Sequence, residues 1–99
     1  MRGDYLTKYV VKYKLKKMKG FTLEVSKKHV EHLRNLSQKN SLFLCGRLKG
    51  NGAMLILEAK SLKEAETHIL QDPVIINKHY DYTIHELVEA NEENNFLLK

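Results

Sequence analysis

Hydrophobic and polar residues alternate along two segments near the ends of the chain. In residues 5–15 the apolar and aromatic side chains fall on one side and the lysines on the other: Tyr5, Tyr9, Val11, Tyr13 and Leu15 against Lys8, Lys12 and Lys14. Residues Tyr80–Val88 alternate in the same way, with Tyr82 and Ile84 among the candidates to face inward. A period of two with aromatic and β-branched residues predicts two half-buried strands.

Two apolar runs in the middle of the chain predict two further strands. Leu42–Gly46 and Ala53–Ala59 are apolar on both faces, as central strands covered on both sides would be. Asn51-Gly52 between them is a strong signal for a tight turn. Lys16–Gly20, after the first strand, reads as a basic loop that ends in glycine.

A helix is predicted between the first two strands. Ser26 can cap it, and the pattern runs to about Lys39. At about 100° per residue, His29 lies about 40° from the middle of the apolar stripe, whereas His32 lies about 100° away. The stripe is formed by Val30, Leu33 and Leu36. We therefore expect His29 to point under the helix and His32 to lie nearer solvent.

A second helix follows the third strand. Ser61-Leu62-Lys63-Glu64 is a capping box, and Leu62, Ala65 and Ile69 share one face. Asp72-Pro73 ends this helix, because a residue before proline avoids the helical region. Asp72 can then cap a short helical turn with Pro73 at its first position.

The order of elements is β-α-β-β-α-β, which predicts an α+β, ferredoxin-like fold: an antiparallel four-stranded sheet with two helices on one face. The tyrosines and valine of the first strand and the apolar middle strands are expected to make the open sheet face apolar. An apolar face of this size is a liability in a monomer. The same face of a second chain would cover it, so we expect a homodimer.

The length of 99 residues indicates a single domain, 1–99, with its core at about 5–88 and a polar tail from residue 89. Cys45 is the one cysteine, so no intrachain disulfide can form. There is no signal-peptide pattern and no run of about 18 apolar residues. These features predict a cytoplasmic protein without a membrane partner. The net charge of +5 comes largely from a lysine run. A solvated strand edge and loop is the favoured interpretation of this run, and a patch for nucleic acid or an anionic ligand is the alternative.

His29 and Asp72 are the candidate catalytic residues. An imidazole and a carboxylate are the usual parts of a general acid/base pair. The alternative for His29 is a buried histidine with one hydrogen bond, and the alternative for Asp72 is a helix cap. The two interpretations are compatible, because a capping carboxylate can also orient an imidazole and set its tautomer.

Other candidates carry weaker signals. Cys45 could be a nucleophile, but a buried strand cysteine acting as a small hydrophobe is favoured. Arg47 could bind an anionic group or be a solvated turn arginine. Tyr9 and Tyr13 are interpreted as core residues. The five histidines lack a ligand signature, so no metal is expected. An RNA-recognition module has the same element order but needs stacking rings where this chain has Asn51 and Ala53, which argues against nucleic acid.

Four short motifs together resemble the YciI-like family, over roughly residues 7–88. They are a helix that opens with histidine, a glycine at the end of the next strand, a capped second helix and an Asp-Pro pair. Here these motifs read His29-Val30-Glu31-His32-Leu33-Arg34-Asn35-Leu36, Leu42–Gly46, Ser61-Leu62-Lys63-Glu64-Ala65 and Asp72-Pro73.

The resemblance implies a dimeric α+β barrel with a site built on the residues that match His29 and Asp72. Where activity is attributed to the family, it is elimination on a chlorinated hydroxyquinol-type ring without metal or organic cofactor. This chain departs from the pattern at Gly46-Arg47, where the family often has Gly-Pro, and in the short turn from Arg47 to Gly52. The substrate of a relative therefore cannot be carried over.

The leading hypothesis is a small cofactor-independent lyase or isomerase acting on a cyclic organic substrate. His29 would move the proton, Asp72 would hold His29, and Arg47 with the backbone at Gly46 would position an anionic or enolic oxygen. The alternative is a non-catalytic dimer that binds a small acidic metabolite in the same cleft.

Overall fold

The computed structural model of the protein describes residues 6–50 and 52–98, which form an α+β domain. The predicted turn residue Asn51 and the predicted strand residue Tyr5 lie outside these ranges. The elements in chain order are β1 (Thr7–Leu15), α1 (Leu23–Gln38), β2 (Leu42–Arg47), β3 (Ala53–Ala59), α2 (Leu62–Leu70), α3 (Pro73–Ile76), β4 (Tyr80–Leu87) and a 3₁₀ helix (Glu92–Leu97).

The four strands form one antiparallel sheet in the order β2-β3-β1-β4. This order and the two helices on one face confirm the predicted ferredoxin-like class. β2 is an edge strand, however, so the prediction that it is a central strand covered on both sides is wrong. Phe43 is 57% exposed and Leu44 49% exposed. An apolar run indicates a strand but does not reveal its place in the sheet, which the long-range pairing of β1 with β3 decides.

The core lies between the sheet and the helices. Tyr9, Val11 and Tyr13 of β1 are buried there, together with Leu57 of β3 and Ile69 of α2. Tyr9, Val11 and Tyr13 therefore face the helices, and the expectation that the tyrosines and valine of β1 form the open face is wrong for these three residues. Alternation along a strand defines two faces, and the more apolar one packs against the helices because it gains most from burial.

The open face of the sheet is a mixed surface with an apolar centre. Val10 lies opposite Ile56 in the register, and Ile56 lies opposite Leu44 of the edge strand. Lys8 lies beside this strip, with its ammonium 4.8 Å from the centre of the Phe43 ring. Aliphatic side chains thus line the middle of the face, and a cation packed on an aromatic ring borders them.

α1 begins one turn earlier than predicted. Its N-cap is Thr22, whose side-chain oxygen accepts a hydrogen bond from the Val25 N–H at 3.1 Å, so the prediction of Ser26 as the cap is wrong. Thr22 and Ser26 are both good caps. The preceding loop decides between them, because Gly20 takes a left-handed φ of 81° that turns the chain into Thr22.

The inward stripe of α1 is centred on His29. At about 100° per residue, Val25, Leu33 and Leu36 all lie within about 40° of it, and these side chains contact or belong to the core. Val30 is 47% exposed and lies outside the stripe. His29 and His32 are both half-buried residues.

The connection from α2 to α3 forms as predicted. The Ser61 side chain accepts from the Glu64 N–H at 3.1 Å, and Asp72 caps α3 with Pro73 in its first turn. After β4 the tail forms the 3₁₀ helix, with Phe96, Leu97 and Leu98 exposed. Within residues 6–50 and 52–98, no helix has the length and apolar character needed to cross a membrane.

Candidate functional site

The structure brings His29 and Asp72 together, as the sequence predicts. Nδ1 of His29 lies 2.8 Å from Oδ1 and 3.0 Å from Oδ2 of Asp72. α1 supplies the imidazole, and the junction of α2 and α3 supplies the carboxylate. A carboxylate can only accept, so the Nδ1–H of His29 is the donor when Asp72 is ionised. This tautomer leaves the lone pair on Nε2.

The Asp72 carboxylate is fully buried and contacts three donors. Besides His29, the Tyr13 hydroxyl donates to Oδ2 at 2.8 Å, and the Val74 N–H donates to Oδ1 at 3.1 Å. A buried carboxylate stays charged only where such donors replace water. The cap and the partner of the imidazole are therefore the same side chain, and the two interpretations of Asp72 coexist.

The part that Tyr13 plays in this cluster was not predicted from the sequence. Its assignment to the core is confirmed, because the residue is only 3% exposed. Its hydroxyl nevertheless reaches Asp72. Burial, followed by the nearby charge of Asp72 and the hydrogen bond to it, raises the pKa of Tyr13 far above its ordinary value. The available signal was that a buried tyrosine hydroxyl needs an acceptor.

A cleft of about 640 Å³ opens beside His29, between α1 and the hairpin of β2 and β3. His29 and Leu33 line it from α1, and Tyr13 and Tyr80 line it from the sheet. The hairpin comes close to β1 here: Gly52 has a φ of 75°, and a Cβ on it would collide with the Tyr13 carbonyl oxygen. The His29 side chain lines this cleft and is 25% exposed, whereas its partner Asp72 is fully buried.

Arg47, Gly46 and Cys45 of β2 also line this cleft. The prediction that Cys45 is buried is wrong: it is exposed because β2 is an edge strand. Gly46 is not required by packing, since a Cβ there would meet no atom within 4 Å. Arg47 lies opposite Ala53 in the register, as does Tyr13, and so belongs to the face of the sheet that carries the helices.

The described residues that line the cleft include two permanent cations and no carboxylate. The cations are Lys14 and Arg47. Within residues 6–50 and 52–98 neither of them forms an ion pair. An apolar cleft bordered by unpaired cations attracts an anion, because field lines concentrate between low-dielectric walls.

The remaining histidines do not line the cleft. Nε2 of His32 donates to the His68 carbonyl at 2.8 Å, and Nδ1 of buried His79 donates to the Lys17 carbonyl at 3.1 Å. His85 is exposed on β4. Among the residues that the structure describes, no three His, Cys, Asp or Glu side chains converge as a metal site would require.

The chain matches no protein-family model, and no curated protein matches it in sequence. Its fold is similar to that of a solved structure, the 5-chloro-2-hydroxyhydroquinone dehydrochlorinase from Burkholderia phenoliruptrix AC1100 in complex with 2,5-dihydroxybenzoquinone. The TM-score is 0.71, with 16% sequence identity, and the alignment covers 89% of this chain and 99% of that chain. The similarity supports the α+β, ferredoxin-like fold.

Proposed function

We propose that this protein is a cofactor-independent enzyme of the lyase or isomerase type that moves a proton on a small cyclic organic substrate. The observation that carries the proposal is the 2.8 Å contact between Nδ1 of His29 and Oδ1 of Asp72 at the wall of a cleft. A base held by a buried carboxylate and open to a cleft on its other edge is the arrangement that general base catalysis requires.

In this mechanism Nε2 of His29 removes a proton from the bound substrate. The imidazole becomes an imidazolium, which the Asp72 carboxylate stabilises. The electron pair of the broken bond can then react in two ways. It can expel a leaving group from the neighbouring atom, which is an elimination, or it can move onto an oxygen as an enolate. In the second case the imidazolium returns the proton to another ring atom, which is an isomerisation.

Arg47 and the backbone at Gly46 would position the substrate oxygen that carries negative charge. The support is that both line the cleft and that no described carboxylate lies there to neutralise Arg47. A guanidinium can form two parallel hydrogen bonds to an ionised oxygen pair. The substrate would therefore be an anion, or would become one as the proton leaves.

The neighbour in the fold comparison supports this class of chemistry. That protein is a dehydrochlorinase whose structure holds 2,5-dihydroxybenzoquinone, a small oxygenated ring. At 16% identity its substrate is not transferred to this chain. What supports the proposal is the combination of a similar fold with a base, a carboxylate and an arginine at one cleft.

We further propose that two copies pair through the open faces of their sheets. Val10, Leu44 and Ile56 form an aliphatic strip on this face. Contact between two copies would remove the strip from water. A dimeric barrel of this kind is also what the resemblance of the sequence motifs to the YciI-like family implies. The YciI-like assignment belongs to the same proposal.

The proposal is tested with 5-chloro-2-hydroxyhydroquinone as the probe and chloride release as the readout. We expect His29→Gln to lower turnover by about 10²- to 10⁴-fold, the usual contribution of a general base. His32→Gln is the matched control, since it lies on the same helix and its ring bonds a carbonyl outside the cleft. Equal turnover by His29→Gln and the parent would contradict the proposal. If the parent binds 2,5-dihydroxybenzoquinone but releases no chloride, the metabolite-binding alternative is favoured.

A further inference from the structure

The plane of the Asp72 carboxylate is held from two sides. The Val74 N–H donates to Oδ1, and the Tyr13 hydroxyl donates to Oδ2 at 2.8 Å. Because the two donors approach different oxygens, the carboxylate cannot rotate without losing one of them. In this orientation both oxygens lie within 3.0 Å of Nδ1 of His29.

We infer that Tyr13 is a positioning residue, whose hydroxyl holds the buried Asp72 carboxylate in the orientation that accepts the Nδ1–H of His29. The inference rests on the proposed role of His29 as a base. The chain of hydrogen bonds from Tyr13 through Asp72 to His29 can nevertheless be tested without a substrate.

Burial makes the Tyr13 hydroxyl necessary. Asp72 is 0% exposed, so water does not replace a missing donor at its surface. An ionised carboxylate that loses a donor in such a place becomes a stronger base and pulls harder on the remaining donors. The remaining donor on Oδ2 would be His29, and the proton shared with Nδ1 would move towards Asp72.

Tyr13 can act only as a donor to Asp72. Its raised pKa keeps the hydroxyl protonated over the whole range in which imidazoles titrate. It lies on central strand β1, opposite Tyr82 of β4 and Ala53 of β3. A side chain on a rigid, paired strand holds its partner more precisely than one on a loop.

The experiment is an NMR pH titration of His29 in the complete chain. The ring contacts Asp72, so the comparison needs variants that alter a single group. The other titratable and charged residues that line its cleft are Tyr13, Lys14, Cys45, Arg47 and Tyr80. We expect Tyr13→Phe to raise the midpoint of the His29 titration, because the carboxylate that loses a donor attracts the imidazolium more strongly.

Tyr9→Phe is the matched control, because Tyr9 is a buried tyrosine on the same face of β1 and does not contact Asp72. It should leave the His29 midpoint unchanged. 3-Fluorotyrosine at position 13, a stronger donor, should lower the midpoint, and this variant keeps the shape of the side chain if Tyr13→Phe does not fold. Identical midpoints in the parent, Tyr13→Phe and 3-fluorotyrosine proteins would overturn the inference.

The two proposals fail in distinguishable ways. If Tyr13→Phe moves the His29 titration but His29→Gln leaves chloride release intact, the hydrogen-bond chain is correct and the catalytic proposal is wrong. If His29→Gln abolishes chloride release but neither position-13 variant moves the titration, the proposal for Tyr13 is wrong. Where turnover is measurable, a positioning role also predicts that Tyr13→Phe lowers kcat more than it raises KM.

Discussion

Oδ1 of Asp72 lies 2.8 Å from Nδ1 of His29, and the same oxygen accepts the Val74 N–H at the start of α3. The same oxygen atom therefore takes part in the local helix cap and in a contact with a residue 43 positions away in the sequence. The cap fixes where the carboxylate lies, and the carboxylate fixes how the imidazole is turned. A substitution can separate these two effects if it keeps the cap and removes the charge.

Asp72→Asn makes this separation. The amide oxygen can still cap α3, but the amide NH₂ replaces one acceptor with a donor. The NH₂ group would face the Tyr13 hydroxyl, while the capping oxygen would still face Nδ1 of His29. Because the negative charge beside Nδ1 is gone, we expect the imidazole to titrate at lower pH in an NMR titration. The buried Tyr13 hydroxyl would lose its acceptor, which should reduce the free energy of unfolding by about 1–3 kcal/mol in denaturant melts.

The control is Asp81→Asn, which changes an exposed carboxylate that pairs with Lys16 at 3.6 Å. An exposed pair of this kind contributes little to stability, so this variant should match the parent in both measurements. If the His29 titration is the same in Asp72→Asn and the parent, Asp72 does not orient His29.

Replacing His29 tests whether the imidazole is needed for folding. His29→Gln still offers an N–H to Asp72, so we expect its melting temperature to stay within a few degrees of the parent. His29→Leu offers no N–H, so the buried carboxylate loses a donor. We expect this loss to lower the free energy of unfolding by about 1–3 kcal/mol, which lowers the melting temperature of a domain of this size by several degrees. Thermal melts followed by circular dichroism compare the two. A large loss in His29→Gln would favour the interpretation of His29 as a structural histidine.

Arg47 is expected to bind the anionic part of a ligand. Titration with 2,5-dihydroxybenzoquinone, an ionisable ring, should show about 10- to 100-fold weaker binding by Arg47→Gln, since a charge-assisted hydrogen bond contributes about 1.5–3 kcal/mol. Lys49→Gln is the control for net charge, because Lys49 lies on the same hairpin and does not line the cleft. If both variants weaken ligand binding equally, the result would indicate long-range attraction between the positive charge and the ligand, and would contradict a direct contact with Arg47.

Gly46 lies next to Arg47 on β2 and provides a second test of where the ligand binds in the cleft. Packing leaves room for a methyl group there, so Gly46→Ala should fold and melt like the parent. We expect the extra carbon to change the Kd for 2,5-dihydroxybenzoquinone if the ligand approaches the backbone at this point. An unchanged Kd would remove Gly46 from the proposed site and leave Arg47 in it.

Much of the fold could be predicted because its signals are local. Alternation in β1 and β4 and the cap at Ser61 each fix an element without reference to the rest of the chain. The start of α1 could not be predicted with equal certainty, because Thr22 and Ser26 are equivalent caps and the loop before them decides. The exposure of β2 could not be predicted either, since strand order depends on pairing between distant segments.

The candidate site was predicted in part for the same reason. Helical geometry turns His29 inward, and Asp72 precedes a proline, so both stand out in the sequence. Tyr13 looks like any other inward-facing residue of β1 until its hydroxyl is placed 2.8 Å from Asp72. Its contact with a residue 59 positions away depends on tertiary packing, for which the sequence has no local signal.

The proposed dimer predicts a particle of about twice the 11.6 kDa chain mass in light scattering. Ile56→Lys places a charge in the middle of the aliphatic strip and should give monomers, because burying an unpaired charge is costly. Leu62→Lys is the matched control and should stay dimeric, because Leu62 is 48% exposed at the start of α2, on the helix layer and not on the open sheet face. A parent protein that is monomeric at high concentration would contradict the pairing of open sheet faces.

His68 gives a prediction about acid sensitivity. Burial lowers the pKa of His68 below its ordinary 6.5, Lys39 and His32 lower it further, and Glu64 opposes them in part. Below about pH 6.5 the unfolded chain takes up a proton that the folded chain resists, so stability falls as the pH drops through the folded pKa. Urea unfolding between about pH 8 and about pH 5 should show a smaller loss of stability in His68→Gln than in the parent. His85→Gln, on exposed β4, is the control, and an equal loss in parent and His68→Gln would show that another group carries the acid sensitivity.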